Sequence, residues 1–303
     1  MRVKKYLMIT FIYLGKYGRM GNQLFQYAAL RALSLKNGYE IKIPNPDFST
    51  WHGQKCLLNN FNIGSSYLSN DDLEQIKHRY YEPDYMKFDL KFYDLPDDID
   101  LYGFFQSTLY FKEFEKEIIE ELTPKQEFLK RAQDILRGIK EDNSGYEIVS
   151  LHLRRGDNTD GSNSNNELNE MYGKNGVLEM DSFYGKYLTA AKDYFKDRKV
   201  KFLIFSGGNR LIGNNNETDL EWCRYNFVGE EYLFAEPNDS MIDFCLIMSC
   251  DHNIISHISS FGWWAAYLNQ NKRKIVVAPN KYHPDRPDFN HRQGFYPEGW
   301  TIV

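Results

Sequence analysis

Two adjacent arginines followed by a glycine and an aspartate, in the run His152-Leu153-Arg154-Arg155-Gly156-Asp157, are the residues of this sequence best suited to hold an anion. Planar guanidinium groups offer paired N–H donors to phosphate oxygens, and the glycine lets the backbone turn beneath them. The apolar stretch Tyr146 to Leu153, predicted as a strand, ends at this run. Open parallel sheets bind ligands at such strand ends. The competing reading is structural: Arg154 alternates with His152 along the strand and pairs with a carboxylate. Five polar or glycine residues among the six favour the binding site.

Three further groups could carry chemistry. The loop Gly15 to Asn22, with glycines at 15, 18 and 21, leads into an apolar stripe of Leu24, Phe25, Ala28, Leu30 and Leu33, the pattern of a helix. It matches neither GxGxxG nor GxxxxGK[ST], which argues against a phosphate-cradling NTPase loop. Asn22, at the predicted helix start, reads as a cap, a substrate contact or both. Asp243 lies among Phe244, Leu246, Ile247 and Met248 on a helix predicted over 239–250. A carboxylate in such company needs a partner, and the N1–H and N2–H of guanine match its two oxygens; otherwise it faces solvent. Ser259-Ser260-Phe261-Gly262 opens another predicted helix, where N–H groups and hydroxyls form an anion site or the serine simply caps.

No metal site is expected. Asp98-Ile99-Asp100 has DxD spacing, but it follows Pro96 in an acidic run and reads as a solvated turn. His252 and His257 fall on opposite sides of a strand-like stretch. His283, Asp285 and Asp288 read as surface loop.

These groups need elements to position them. Strand, glycine loop and helix open the chain, and from residue 146 onward strands at 146–153, 200–206, 252–256 and 274–278 alternate with helices at 181–195, 219–226, 239–250 and 261–268. That alternation predicts a largely parallel sheet covered by helices. With 303 residues and a polar stretch at Glu141 to Gly145, the chain divides into two doubly wound domains, 1–143 and 144–303, with a cleft between them. Positions 158–176, rich in Asn, Ser and Gly, read as a loop. A formal charge of -5 argues against general nucleic-acid binding, although a local arginine cluster still serves a nucleotide. Cys56, Cys223, Cys245 and Cys250 form no CxxC pair and read as free thiols. The apolar run Tyr6 to Leu14 has no small-residue cleavage site and is too short to span a bilayer, so it is expected as a first strand of a soluble protein. Tyr 22 and Phe 21 suit a sugar-handling surface and a large core equally.

The run His152 to Asp157 resembles the HxRRGD signature of the α-1,2-fucosyltransferases, glycosyltransferase family 11. Gly18 to Gln23 resembles that family's GRxGNQ, Tyr102 to Ser107 its GYxQS strand, Glu221-Trp222-Cys223-Arg224 its WCRE segment, and Phe261 to Leu268 its FxWWAAYL motif. The matches follow family order over most of the chain. The resemblance implies a GT-B fold, two Rossmann-like domains facing across a cleft, with an acceptor side in 1–143 and a GDP-sugar site in 144–303. It implies GDP-β-L-fucose as donor, a galactose-containing glycan as acceptor, inversion at C1 and no metal cofactor. By the same resemblance Arg155 contacts the diphosphate, Arg154 braces the site, His152 touches the nucleotide and Asp243 reads guanine. Ser259, Ser260 and Phe261 form the phosphate turn, Ser206 stands at a donor-side strand end, and Asn22 approaches the sugar. An insertion before Trp222 departs from the pattern. Asp157 is, by position, either the general base or a residue that orients Arg154 or the next loop. A transferase using another nucleotide sugar and a non-catalytic glycan- or nucleotide-binding module are the rival readings. The expected location is the cytoplasm, peripheral to a membrane if the acceptor is lipid-linked.

Overall fold

The computed structural model describes residues 7–51, 54–156, 178–207, 216–257, 259–281 and 292–303. Asp157, the loop 158–176, the start of the insertion before Trp222, and His283, Asp285 and Asp288 lie outside the described residues. The chain forms two compact units, one of Met1–Lys125 with His291–Pro297, the other of Gln126–Asn290 with Glu298–Val303.

The first unit is built as strand β1 (Met8–Thr10), helix α1 (Met20–Asn37), β2 (Glu40–Ile43), the hairpin β3 (Thr50–Trp51) and β4 (Gln54–Lys55), β5 (Ser66–Tyr67), α2 (Asn70–Gln75), β6 (His78–Tyr81), β7 (Ile99–Tyr102) and α3 (Glu115–Glu121). Its main sheet has the order β5-β2-β1-β7-β6, every pair parallel. The apolar run predicted as a long strand gives only three strand residues. Leu14 N–H bonds Phe11 C=O and Lys16 N–H bonds Tyr13 C=O, so the chain turns while Phe11 and Leu14 stay buried. The short strands β3 to β6 went unpredicted because two to four residues carry little periodicity.

Asp98-Ile99-Asp100, expected as a solvated turn, instead enters the sheet. Asp100 is fully buried in β7, accepts from Ile12 N–H (2.8 Å) and is ion-paired with Arg79 Nε (2.6 Å). Burial outweighs those two partners and raises its pKa above the ordinary carboxylate value. Among the described residues no group of three or more His, Cys, Asp or Glu is arranged to hold a metal ion.

The second unit follows with α4 (Gln126–Asp142), β8 (Glu147–Leu153), α5 (Phe183–Asp193), β9 (Val200–Ser206), α6 (Asn216–Asn226), β10 (Tyr232–Phe234), α7 (Ser240–Ser249), β11 (His252–Ile254), α8 (Ser260–Leu268), β12 (Val276–Ala278) and β13 (Thr301–Ile302). All neighbours in its sheet pair in parallel, in the order β10-β9-β8-β11-β12-β13. Numbered within the unit this is 3-2-1-4-5-6, the order of doubly wound dinucleotide-binding sheets. The units divide before α4 rather than after it, because α4 packs on α7 and its Lys140 pairs with Asp251 (2.7 Å). The four cysteines are free and buried. Among the described residues, no helix is long and apolar enough to cross a membrane.

Two buried asparagines lock the end of α7 and the end of α8 to the sheet. Asn253 Nδ2 donates to Ser150 Oγ (2.8 Å) and Ile247 C=O (2.7 Å). Asn269 Nδ2 donates to Cys250 C=O (2.8 Å) and Asn253 Oδ1 (2.9 Å). Asn253→Ala strands several buried polar groups at once, so it should lower stability by about 2–3 kcal/mol. A drop in the urea midpoint with an unchanged slope checks this.

Candidate functional site

The order of the second sheet reverses between β8 and β11, and both strands end there in polar sequence. That switch point is where an open α/β sheet leaves a crevice, since the chain departs to opposite sides from adjacent strands. The residues after β8 are His152 at its last turn of pleat, then Arg154, Arg155 and Gly156; those after β11 are Ser256, His257 and Ser259.

Arg155 is held from two sides. Its Nε faces Asp219 Oδ1 at 3.2 Å, and its guanidinium lies over the Trp222 ring, 3.7 Å from the centroid. The side chains are 12% and 0% exposed, so this is a buried ion pair. Asp219 Oδ2 also accepts from Gly156 N–H (3.1 Å), which ties the turn to α6. Gly156 has φ of 58°, a left-handed conformation that a glycine adopts at little cost. The sequence offered Arg154 as the arginine with a structural carboxylate; the structure shows that Arg155 has one too, in Asp219. The backbone N–H of Arg154 donates to Ser256 Oγ (2.9 Å), joining the two strand ends. Ser206, opposite Leu153 in register, donates its hydroxyl to Leu153 C=O (3.2 Å) and so sits at the same end.

His152 is buried, and its neighbour is the start of α8. A Cβ on Gly262 would lie 2.6 Å from His152 Nδ1, so only glycine lets the helix approach this closely. Phe261 packs against His152 (5.6 Å between ring centroids) and against Phe244 of α7 (5.3 Å, edge-on). Burial, reinforced by the Arg154 charge, pushes the His152 pKa down to about 3, so the ring is neutral. Among the described residues its Nδ1 has no hydrogen-bond partner. Ser259 caps α8 by accepting Gly262 N–H (3.4 Å), which is the plain capping role weighed for it.

Asp243 stands in the first turn of α7, whose cap is Asp239, accepting Met241 N–H. Its Oδ1 accepts from Asn238 Nδ2 at 3.3 Å. Burial pushes its pKa up to about 7, against the smaller opposing effect of Asn238. Phe261 and Phe244 thus link α7, α8 and β8 into one neighbourhood holding His152, Asp243 and the Ser259 turn.

Asn22 belongs to the other unit. It does not cap α1: the cap position is Arg19, which makes no side-chain cap bond, and Asn22 lies inside the first turn. The amide Oδ1 accepts from Gln106 Nε2 (2.7 Å), and its side chain fills the space beneath Gly18, where any Cβ would collide. Two supports escaped the sequence reading, Asp219 and Ser256. Asp219 precedes Trp222 by three positions on one helix, a spacing that puts both on one face and could have flagged the carboxylate.

The fold defines a two-unit α/β protein whose second unit carries a doubly wound sheet with polar strand ends at its switch point. Residues 4–303 match the model of glycosyl transferase family 11, and the chain belongs to that family. It is 29% identical over 299 residues to galactoside alpha-(1,2)-fucosyltransferase 2 of Hylobates lar, an alignment spanning 94% of this chain and 77% of that protein. It is 26% identical over 305 residues to the O-antigen biosynthesis glycosyltransferase WbnK of Escherichia coli, spanning 88% and 92%. Among solved structures, the fucosyltransferase NodZ from Bradyrhizobium aligns with a TM-score of 0.47 at 13% identity, over 86% of this chain and 93% of that one.

Removing one partner of a buried pair leaves the other charge uncompensated, at a cost of about 3–5 kcal/mol. Asp219→Ala should destabilise the protein by about that much, and Asp219→Ala with Arg155→Met should recover most of the loss. Chemical denaturation of the two single variants and the double variant measures the coupling.

Proposed function

We propose that this glycosyltransferase moves L-fucose from GDP-β-L-fucose to a galactoside hydroxyl of a glycan, forming an α-1,2 linkage with inversion and without a metal cofactor. The observation that carries the reading is the set at the β8/β11 switch point: Arg155 fixed by Asp219 and Trp222, beside the α8 N-terminus and a helix carboxylate at Asp243. The family and the names of its relatives supply the fucosyl group and the galactoside.

In this mechanism the acceptor oxygen forms a bond to C1 of fucose while the C1–O bond to the diphosphate breaks on the opposite face. GDP carries away the electron pair, and the acceptor proton passes to a base. Asp157 is the sequence candidate for that base. Charge grows on the departing diphosphate, so pre-fixed donors lower the barrier most. Arg155 answers that charge directly, and the first-turn N–H groups of α8 add their dipole. Ser260 and Phe261 lie at that terminus, while the Ser259 hydroxyl is committed to the cap. His152, kept neutral, serves the nucleotide as a hydrogen-bonding group rather than a charge. Arg154 and Ser206 brace the strand end.

Incubation with GDP-fucose and a simple β-galactoside in excess EDTA should yield the fucosylated product and GDP. Activity lost to EDTA and restored by a divalent cation would overturn the metal-free mechanism; a different accepted nucleotide sugar would replace the donor.

Asp243 gives the site a pH dependence. Guanine N–H donors need the carboxylate ionised, and burial raises its pKa to about 7. Binding therefore releases a proton below that pH, and affinity is full above it and falls as pH drops. GDP-fucose, whose own phosphates do not titrate there, should bind about thirtyfold more weakly at about pH 5.5 than at about pH 8. Calorimetry across this range checks it, and Asp243→Asn should flatten the profile.

A further inference from the structure

Strand β11 ends at Ile254, and each of the next three residues is held in place. Ile255 N–H bonds Val277 C=O (3.0 Å), and its own C=O accepts the Tyr187 hydroxyl of α5 (2.7 Å). Ser256 Oγ accepts the Arg154 N–H (2.9 Å). His257 then enters a box of three aromatic side chains from the start of α5. Between ring centroids, Phe183 lies 4.6 Å away, Tyr187 4.7 Å and Tyr184 5.6 Å. The histidine is only 3% exposed, and among the described residues its Nδ1 has no hydrogen-bond partner.

Packing alone does not account for an imidazole here. The three rings carry no charge to answer an imidazolium, and the Tyr187 hydroxyl is committed to the Ile255 and Val277 carbonyls. Burial pushes the His257 pKa down to about 3, so the ring is neutral. Phenylalanine would fill the same box without burying a polar atom. An unpaired nitrogen at that depth opposes folding, and such violations collect at functional sites.

The position narrows what completes it. Side chains alternate across a strand, so Leu151 and Leu153 of β8 pack with α5 while His152 between them meets α8. Phe261 joins His152 to Phe244 of α7, the helix that carries Asp243. His257 lies on the other side of the sheet, against α5. A nucleotide sugar with its base by α7 and its diphosphate at the strand ends has its sugar left to extend toward α5.

We infer that His257 recognises the donor, its imidazole nitrogen hydrogen-bonding a hydroxyl of the transferred sugar at the α5 wall. The inference rests on the sugar-nucleotide reading above. Phe183 is half-buried and is the wall that the sugar displaces to reach the nitrogen. A neutral ring among apolar faces suits an uncharged hydroxyl, whereas a phosphate calls for the arginines after β8.

The test titrates the full chain with GDP and with GDP-β-L-fucose by calorimetry, for wild type, His257→Phe and His257→Asn. His257→Phe should keep the wild-type Tm or exceed it and bind GDP as wild type does. Its affinity for GDP-fucose should fall about tenfold, the loss of one hydrogen bond. His257→Asn, whose amide overlays Nδ1, should recover most of that loss. Wild-type GDP-fucose affinity in His257→Phe would reduce the residue to packing and overturn the inference. Equal loss for GDP and GDP-fucose would also overturn it, by placing the nitrogen on the nucleotide. A wild-type preference for another GDP-sugar would overturn the fucose reading instead, and a selective loss of that donor in His257→Phe would still support the sugar contact.

Discussion

Parallel strands cannot be joined by tight hairpins, and this constraint governs both units. Each connection must leave the sheet, cross a face and return, so helices and loops accumulate beside the strands. Where the order of strands reverses, two adjacent connections leave in opposite directions and the strand ends between them stay uncovered. In the second unit the uncovered ends carry His152 to Gly156 and Ser256 to Ser260. In the first they carry the glycine loop and Tyr102 to Ser107. The chemistry of each unit follows from what the sequence places at that one break.

The two breaks are equipped differently. At the second unit's break a guanidinium is held beside a fully buried carboxylate and against an indole. A buried ion pair adds little net stability compared with apolar packing, so its value lies in fixing the cation before a ligand arrives. A neutral histidine pressed against a glycine of α8 keeps the neighbouring helix start close without adding charge. At the first unit's break the fixed groups are rings, and the charges that anchor them are the supports rather than the display.

Much of this was legible in the sequence, where runs were long enough to show a period. The strands 147–153 and 200–206, the Ser259 cap and the helices 240–249 and 260–268 stand where patterning put them. Legibility failed where a few residues decide. Asp100 looked like a solvated turn because the partner that makes its burial tolerable, Arg79, comes from another strand. Asn22 looked like a cap because the helix starts two residues earlier, at Met20 after Arg19, where no side chain caps it. The division between units fell before α4 because the apolar residues of that helix pack on α7, a contact no local pattern carries. Asp219 was missed for the same reason: its meaning depends on Arg155, far away in the chain.

Aromatic content was the most ambiguous feature, and its division in space resolves it. Phenylalanine fills the first unit's interior: Phe11, Phe25, Phe61, Phe92, Phe105 and Phe111 are all fully buried. Tyrosine goes inside where a partner accepts its hydroxyl, as Tyr27 does with Glu121 (2.6 Å). Elsewhere, at Tyr13, Tyr17, Tyr81 and Tyr102, the rings remain at the surface and stack on one another. Leaving four phenols partly wet forfeits burial that the same rings would gain in the core. They are nevertheless gathered at the sheet's one reversal, floored by a strained loop that Glu82 holds in place. Their ring faces are covered largely by one another, Tyr17 lying nearly parallel to both Tyr102 and Phe104, so the cluster recovers by mutual stacking part of the burial that the surface denies it.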